Sequence, residues 1–120
     1  MDLDRFNAFC QSLPASTHVV QWGDHDVWKV GGKVYVIAGV QPDGHVSASF
    51  KVSDMAWEAL RDHPDCRPAP YLASRGLKWI QYYRGDVMGD DEVLNFVRDA
   101  HRIVASGLSK KKQRELGLLS

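Results

Sequence analysis

Apolar residues recur at Leu3, Phe6, Phe9, Cys10 and Leu13, the three-and-four spacing of an amphipathic helix that Pro14 ends. After a short Ser/Thr connection the period drops to two. The segments "THVVQWG", "DVWKV" and "KVYVIAGV" read as three consecutive strands rich in valine and aromatics. Gly31-Gly32 between the second and third suits a two-residue hairpin, because both turn positions take positive φ. Pro42-Asp43-Gly44 marks another turn, leading into "HVSASFKV". On that strand Val46, Ala48, Phe50 and Val52 share one face, and Ser47, Ser49 and Lys51 share the other. One face is buried and one wet, as in an antiparallel sheet with helices on a single side.

Ser53-Asp54 then caps a helix through about Arg61, with Met55, Ala56, Ala59 and Leu60 expected inward. "HPDCRPAP" cannot be helical, since three prolines fall within seven residues. "KWIQYYRG" is a further strand, alternating Trp79, Gln81 and Tyr83 against Ile80, Tyr82 and Arg84. Asp90-Asp91 opens the longest helix, whose stripe is Val93, Phe96, Val97, Ala100, Ile103 and Val104, and Gly107 ends it. A short basic helix, "SKKKQREL", follows. The fold class is α+β: a two-layer α/β domain over residues 1–120 with an antiparallel sheet, in the order α-β-β-β-β-α-β-β-α(-α).

Composition narrows the class. Hydrophobic residues make up 44% of the 120 and charged residues 25%, ordinary globular usage that argues against disorder. The 15 basic and 15 acidic residues cancel, which argues against coating nucleic acid by bulk charge but leaves local patches open. The N-terminus "MDLDRFNAFC" lacks the basic region and apolar run of a secretory signal. No apolar run approaches the roughly 18 residues of a membrane helix. Cys10 and Cys66 stand far apart without a paired motif, so two free, reduced thiols are expected. The expected location is the cytoplasm, with no membrane partner.

Candidate chemistry is sparse. Asp24-His25-Asp26 is an obvious polar cluster, but adjacent strand residues point to opposite faces. A solvated turn is therefore preferred over a metal or proton-transfer site. His18, His45, His63 and His101 show no ligand spacing; His63 with Cys66 is a weak pair, and His101 flanks a helical stripe where a packed histidine is the plainer reading. There is no nucleophile elbow, no P-loop and no G-x-G-x-x-G turn. No enzymatic activity, cofactor or metal is expected. The charge distribution says more than its sum. From Arg67 to Arg84 there are four basic residues, Arg67, Arg75, Lys78 and Arg84, and no acid. Tyr71, Trp79, Tyr82 and Tyr83 are interleaved with them, and the strands add Lys29, Lys33 and Lys51. Basic side chains beside exposed aromatics hold phosphates and stack on bases; the competing reading is a solvated sheet face with its aromatics in the core. Lys110, Lys111, Lys112 and Arg114 form a second patch at a helix end, where charge commonly serves solubility and the dipole.

Taken in order and spacing, "WGDHDVWKVGGKVYV", "VSASFKVS", "RPAPYLASRGLKW" and "LSKKKQRELG" resemble the MmcQ/YjbR family, from about Leu3 to Leu118. The resemblance implies a two-layer α/β domain with an antiparallel sheet, similar in outline to secretion chaperones. It also implies a double-wing DNA-binding role, in which sheet and hairpins face the duplex. The polar family positions matched here are Lys29, Lys33, Lys51, Tyr71 and Trp79. One departure is His101-Arg102, where many members carry Ser-Tyr. The expected nucleic-acid-binding set is Lys29, Lys33, Lys51, Arg67, Arg75, Lys78, Trp79 and Arg84, with Tyr82 stacking or packing beside Trp79 and duplex DNA as partner. The alternative is a protein- or peptide-binding module, including a homodimer, that uses a sheet edge. A third reading is a small-molecule pocket lined by Trp22, Trp28, Trp79 and Tyr83.

Overall fold

Capping and turn chemistry decides where each element begins. A computed structural model describes residues 1–70 and 72–119. Helix α1 (Leu3–Ser12) starts where the Asp2 carboxylate accepts the Arg5 N–H. Strands β1 (Ser16–Gln21), β2 (His25–Val30), β3 (Lys33–Val40) and β4 (Val46–Lys51) follow. Gly31 and Gly32 join β2 to β3 at φ of +59° and +80°, the left-handed pair this hairpin requires. Ser53 caps α2 (Asp54–Leu60) by accepting the Ala56 N–H. Then come β5 (Cys66–Pro68), a 3-10 turn at Ala73–Arg75, β6 (Trp79–Tyr82), α3 (Asp90–Ser106) and α4 (Lys110–Glu115). The element order is the one the sequence patterns predict, with β5 drawn from the proline-rich stretch. Pro68 is tolerated there because β5 is an edge strand.

The six strands form one sheet in the order β1-β2-β3-β4-β6-β5, every neighbour antiparallel. Helices cover one side. Trp28, Val36, Ala38, Val46, Ala48, Phe50, Ile80 and Tyr82 point at them and meet Phe6, Cys10, Val93, Val97 and Ala100 in a single core. A register shift between Trp28 and Lys29 lets consecutive residues Tyr35 and Val36 both be fully buried. The Tyr35 hydroxyl bonds Ser16 Oγ, and its ring meets His101 edge-on at 5.2 Å.

The expected inward face of α2 holds only in part. Met55 is 84% exposed and Ala59 is exposed, while Leu60 is buried with Ala56 and Trp57 half-buried against the core. Residues 56, 57 and 60 lie on one helical face and 55 and 59 on another. Burying the indole removes more apolar area than burying the thioether would. Asp65, in the segment read only as non-helical, is fully buried. Its carboxylate accepts the N–H groups of Asp86, Val87 and Met88, tying the loop before α3 to the start of β5. Among the described residues no helix is long and apolar enough to cross a membrane.

Candidate binding face of the sheet

The Asp24-His25-Asp26 segment divides between the two sides of the sheet. Trp22, Gly23 and Asp24 take φ of +55°, +71° and +68°, three consecutive left-handed residues of which the first carries a bulky side chain that disfavours it. His25 Nδ1 donates to the Trp22 carbonyl at 2.7 Å and clasps this turn. The His25 ring lies over Gly39, where a Cβ would stand 3.1 Å from it. Asp26 instead faces the helices, 7% exposed. It accepts from His18 Nε2 at 2.7 Å and from Asn7 Nδ2 at 3.3 Å, and Asn7 Oδ1 accepts from the Trp28 indole at 2.9 Å. So the solvated-turn expectation holds for Asp24 but not for Asp26, whose buried carboxylate is engaged by His18 and Asn7. Among the described residues no three His, Cys, Asp or Glu side chains converge on a point where a metal could sit.

The register shows what faces the open side. Val19, Val27, Ile37, Ser49, Gln81 and Arg67 form one row across all six strands. Lys29 pairs with Thr17 and Val34 in a parallel row, and Lys51 pairs with Trp79. The one acid within the strands is Asp26, on the helix side. Lys29, Lys51 and Arg67 therefore share the open face with no strand acid. Among the described residues none of the three lies within ion-pair distance of a carboxylate. They sit on β2, β4 and β5, so at the usual strand spacing they span about 20 Å.

The remaining candidates lie around this row. Lys33 pairs with Val30 and so lies at the hairpin tip on the opposite side from Lys29. Arg75 is exposed in the 3-10 turn. Lys78 Nζ bonds Asp54 at 2.7 Å. Arg67 and Arg84 both lie against Tyr83, at 4.4 and 5.3 Å from its ring centre, and Arg67 Nε donates to Gln81 at 2.7 Å. Trp79 and Tyr82 are 8% and 1% exposed, so both pack. Tyr71 lies outside the described residues. Trp22, Trp28, Trp79 and Tyr83 do not line one cavity, because Trp28 is on the helix side against His18 and Tyr83 borders a separate polar pocket with Asp43, His45 and Asp86. Trp22 by itself walls an open-face groove of about 580 Å³ with His25, Ile37, Ser49, Pro70, Leu72 and Gln81. A cleft of about 680 Å³ between α1 and α3 offers less, since its Arg5 is already engaged by Asp90 and Asp91. The groove was anticipated only through Trp22, one of the four residues of the expected small-molecule pocket. Its one local signal was the aromatic Trp22 before Gly-Asp at a strand end.

Residues 11–103 match the YjbR family model. The chain belongs to the YjbR family. The crystal structure of the Deinococcus radiodurans protein DR2400, whose family domain is DUF419, is similar at a TM-score of 0.83 and 25% identity, covering 98% of this chain and 88% of that one. A Pseudomonas syringae protein shares the fold at a TM-score of 0.68 and 18% identity, covering 87% of this chain and 99% of its own. No curated protein matches the chain. The family's two-layer α+β architecture, with its antiparallel sheet, is thus the architecture of this chain. Its departure at 101–102 resolves into packing: His101 is buried and donates from Nε2 to the Pro14 carbonyl at 2.7 Å. Arg102 is exposed and pairs with Asp99.

Proposed function

We propose that this YjbR-family chain binds DNA on the open face of its sheet, with Lys29, Lys51 and Arg67 on phosphates. Arg75 and Arg84 lie at its margins, and Lys33, on the opposite side of the hairpin from Lys29, falls outside the site. Lys78 joins them only by leaving Asp54, a small cost for an exposed pair. Trp79 supports Lys51 from the neighbouring strand and offers no face for stacking. One observation carries the reading: three cations without carboxylate partners share a face from which every strand acid is absent. In a chain of zero net charge, attraction for phosphate has to arise from such a local asymmetry.

Three phosphate contacts give a salt slope of about −2.7 on duplex DNA. Lys51→Ala should reduce that slope by roughly 0.9, whereas Lys111→Ala, on exposed α4, should leave it unchanged. If replacing Lys29, Lys51 and Arg67 together by alanine leaves affinity intact, the site is misplaced.

A second reading, protein or peptide binding, is favoured by β1. This edge strand has six residues without proline, Asp, Glu, Lys or Arg, and Val20 is 55% exposed. Such an edge accepts an added strand, from a peptide or a second copy. Light scattering across concentration tests the second copy, and a constant monomer mass rejects it.

A further inference from the structure

The groove beside the basic row has chemistry that phosphate contacts leave unused. Its floor is His25, Ile37, Ser49 and Gln81; Trp22 forms one wall, and Pro70 with Leu72 the other. Trp22 is 59% exposed, yet its position is fixed through the backbone. Its φ of +55° opens a run of three left-handed residues, and its carbonyl is clasped by His25. Gly39 gives His25 the room to lie flat, since any larger residue would press on the ring. A bulky residue held in an unfavourable conformation while remaining in solvent is a presented surface rather than a packing element.

Three features of the groove select its ligand. The indole offers a broad π face. Ser49 and Gln81 put hydrogen-bonding groups on the floor. Gln81 leads directly to Arg67, which donates to it, and Lys51 lies two residues along β4 from Ser49. A ligand using all three has a flat aromatic face, a polar edge and an adjoining negative charge. A base inside a duplex has its faces stacked and its pairing edge occupied, so it cannot enter. We infer that the groove takes an unpaired nucleobase of a single-stranded nucleic acid, stacked on Trp22 with its edge toward Ser49 and Gln81, while Arg67 and Lys51 hold the flanking phosphates. This rests on the reading of the open face as a nucleic-acid surface, and adds to it a preference for single strands.

The test uses the full chain and three labelled probes of equal length: oligo-dT, oligo-U and a duplex of mixed sequence. Anisotropy titrations at low salt should show at least one single strand bound more tightly than the duplex, and the two single strands tell DNA from RNA as the ligand. Trp22→Ala should weaken single-strand binding roughly five- to 150-fold, the range for losing one base–aromatic stack, and leave duplex binding unchanged. Trp22→Phe, which keeps a ring, should restore most of the single-strand affinity. Equal affinity of wild type and Trp22→Ala for the single strands, or a duplex preference, would overturn the inference while leaving the basic-face reading standing. Absence of binding to all three probes would overturn both.

Discussion

Replacing Asp65 by alanine should be among the most destabilising single changes in this chain. The carboxylate is fully buried and accepts backbone N–H groups of Asp86, Val87 and Met88 at 3.2, 2.8 and 2.6 Å. Burial alone pushes its pKa up. The donors of Met88, Val87 and Asp86, with the nearby His63, outweigh that and hold it below the ordinary carboxylate value. A hydrogen bond to a charged group contributes about 1.5–3 kcal/mol net. Counting the two short bonds in full and the long one lightly gives a loss of about 3–6 kcal/mol, a large share of the roughly 5–15 kcal/mol typical of a domain. Asp65→Asn keeps one acceptor oxygen and should lose about half as much. Urea unfolding at neutral pH reads both. The pH dependence has a fixed sign. A pKa lowered by folding contributes stability that is present above the ordinary carboxylate range and is lost as pH falls through the folded value. The gap between wild type and Asp65→Ala should therefore shrink in acid. A variant within about 1 kcal/mol of wild type at neutral pH, or a gap indifferent to pH, would refute the reasoning. The same residue's carbonyl accepts from the Tyr83 and Arg84 N–H groups, so loosening it also frees the segment that carries Arg84.

Cys10 and Cys66 are buried free thiols whose pKa values burial pushes up to about 12; a thiol-reactive dye at pH 8 should label them at least roughly a thousandfold more slowly than unfolded chain, and prompt labelling of the native protein would contradict their burial. His101→Ala removes the bond to the Pro14 carbonyl and the edge contact with Tyr35 and should cost about 1–3 kcal/mol in thermal or urea unfolding. Arg102→Ala, one residue on, should change stability by less than about 0.5 kcal/mol. Met55→Lys, at a position 84% exposed, should also stay within about 0.5 kcal/mol; a larger loss would mean that α2 turns its other face inward.

What was legible in the sequence was local. Alternation in "VSASFK" assigns Val46, Ala48 and Phe50 to one side because a strand leaves no other choice, and Gly31-Gly32 fixes its hairpin through φ. Helix α2 was legible as a helix but not in orientation: seven residues carry Met55, Ala59, Trp57 and Leu60 on nearly every side, and only packing beside β6 selects. Asp65 looked like one more polar residue in a proline-rich stretch, since its three donors come from more than twenty positions downstream. The basic residues were visible as a set, but the insertion of β6 between β4 and β5 sets Lys51 and Arg67 on one face, and the β2–β3 register, which pairs Lys33 with Val30, puts Lys33 on the other. Trp22 was visible as an aromatic. Its exposure follows from a turn geometry that no periodicity encodes.

The central claim is that the open face attracts phosphate, and its most direct measurement is fluorescence anisotropy of a labelled generic duplex at about 50 mM and about 200 mM salt. Three phosphate contacts predict binding at the lower concentration that weakens roughly 40-fold at the higher, and a chain with Lys29, Lys51 and Arg67 all replaced by alanine should show neither. Anisotropy that stays flat at both salt concentrations, or binding that the triple variant retains, would contradict it.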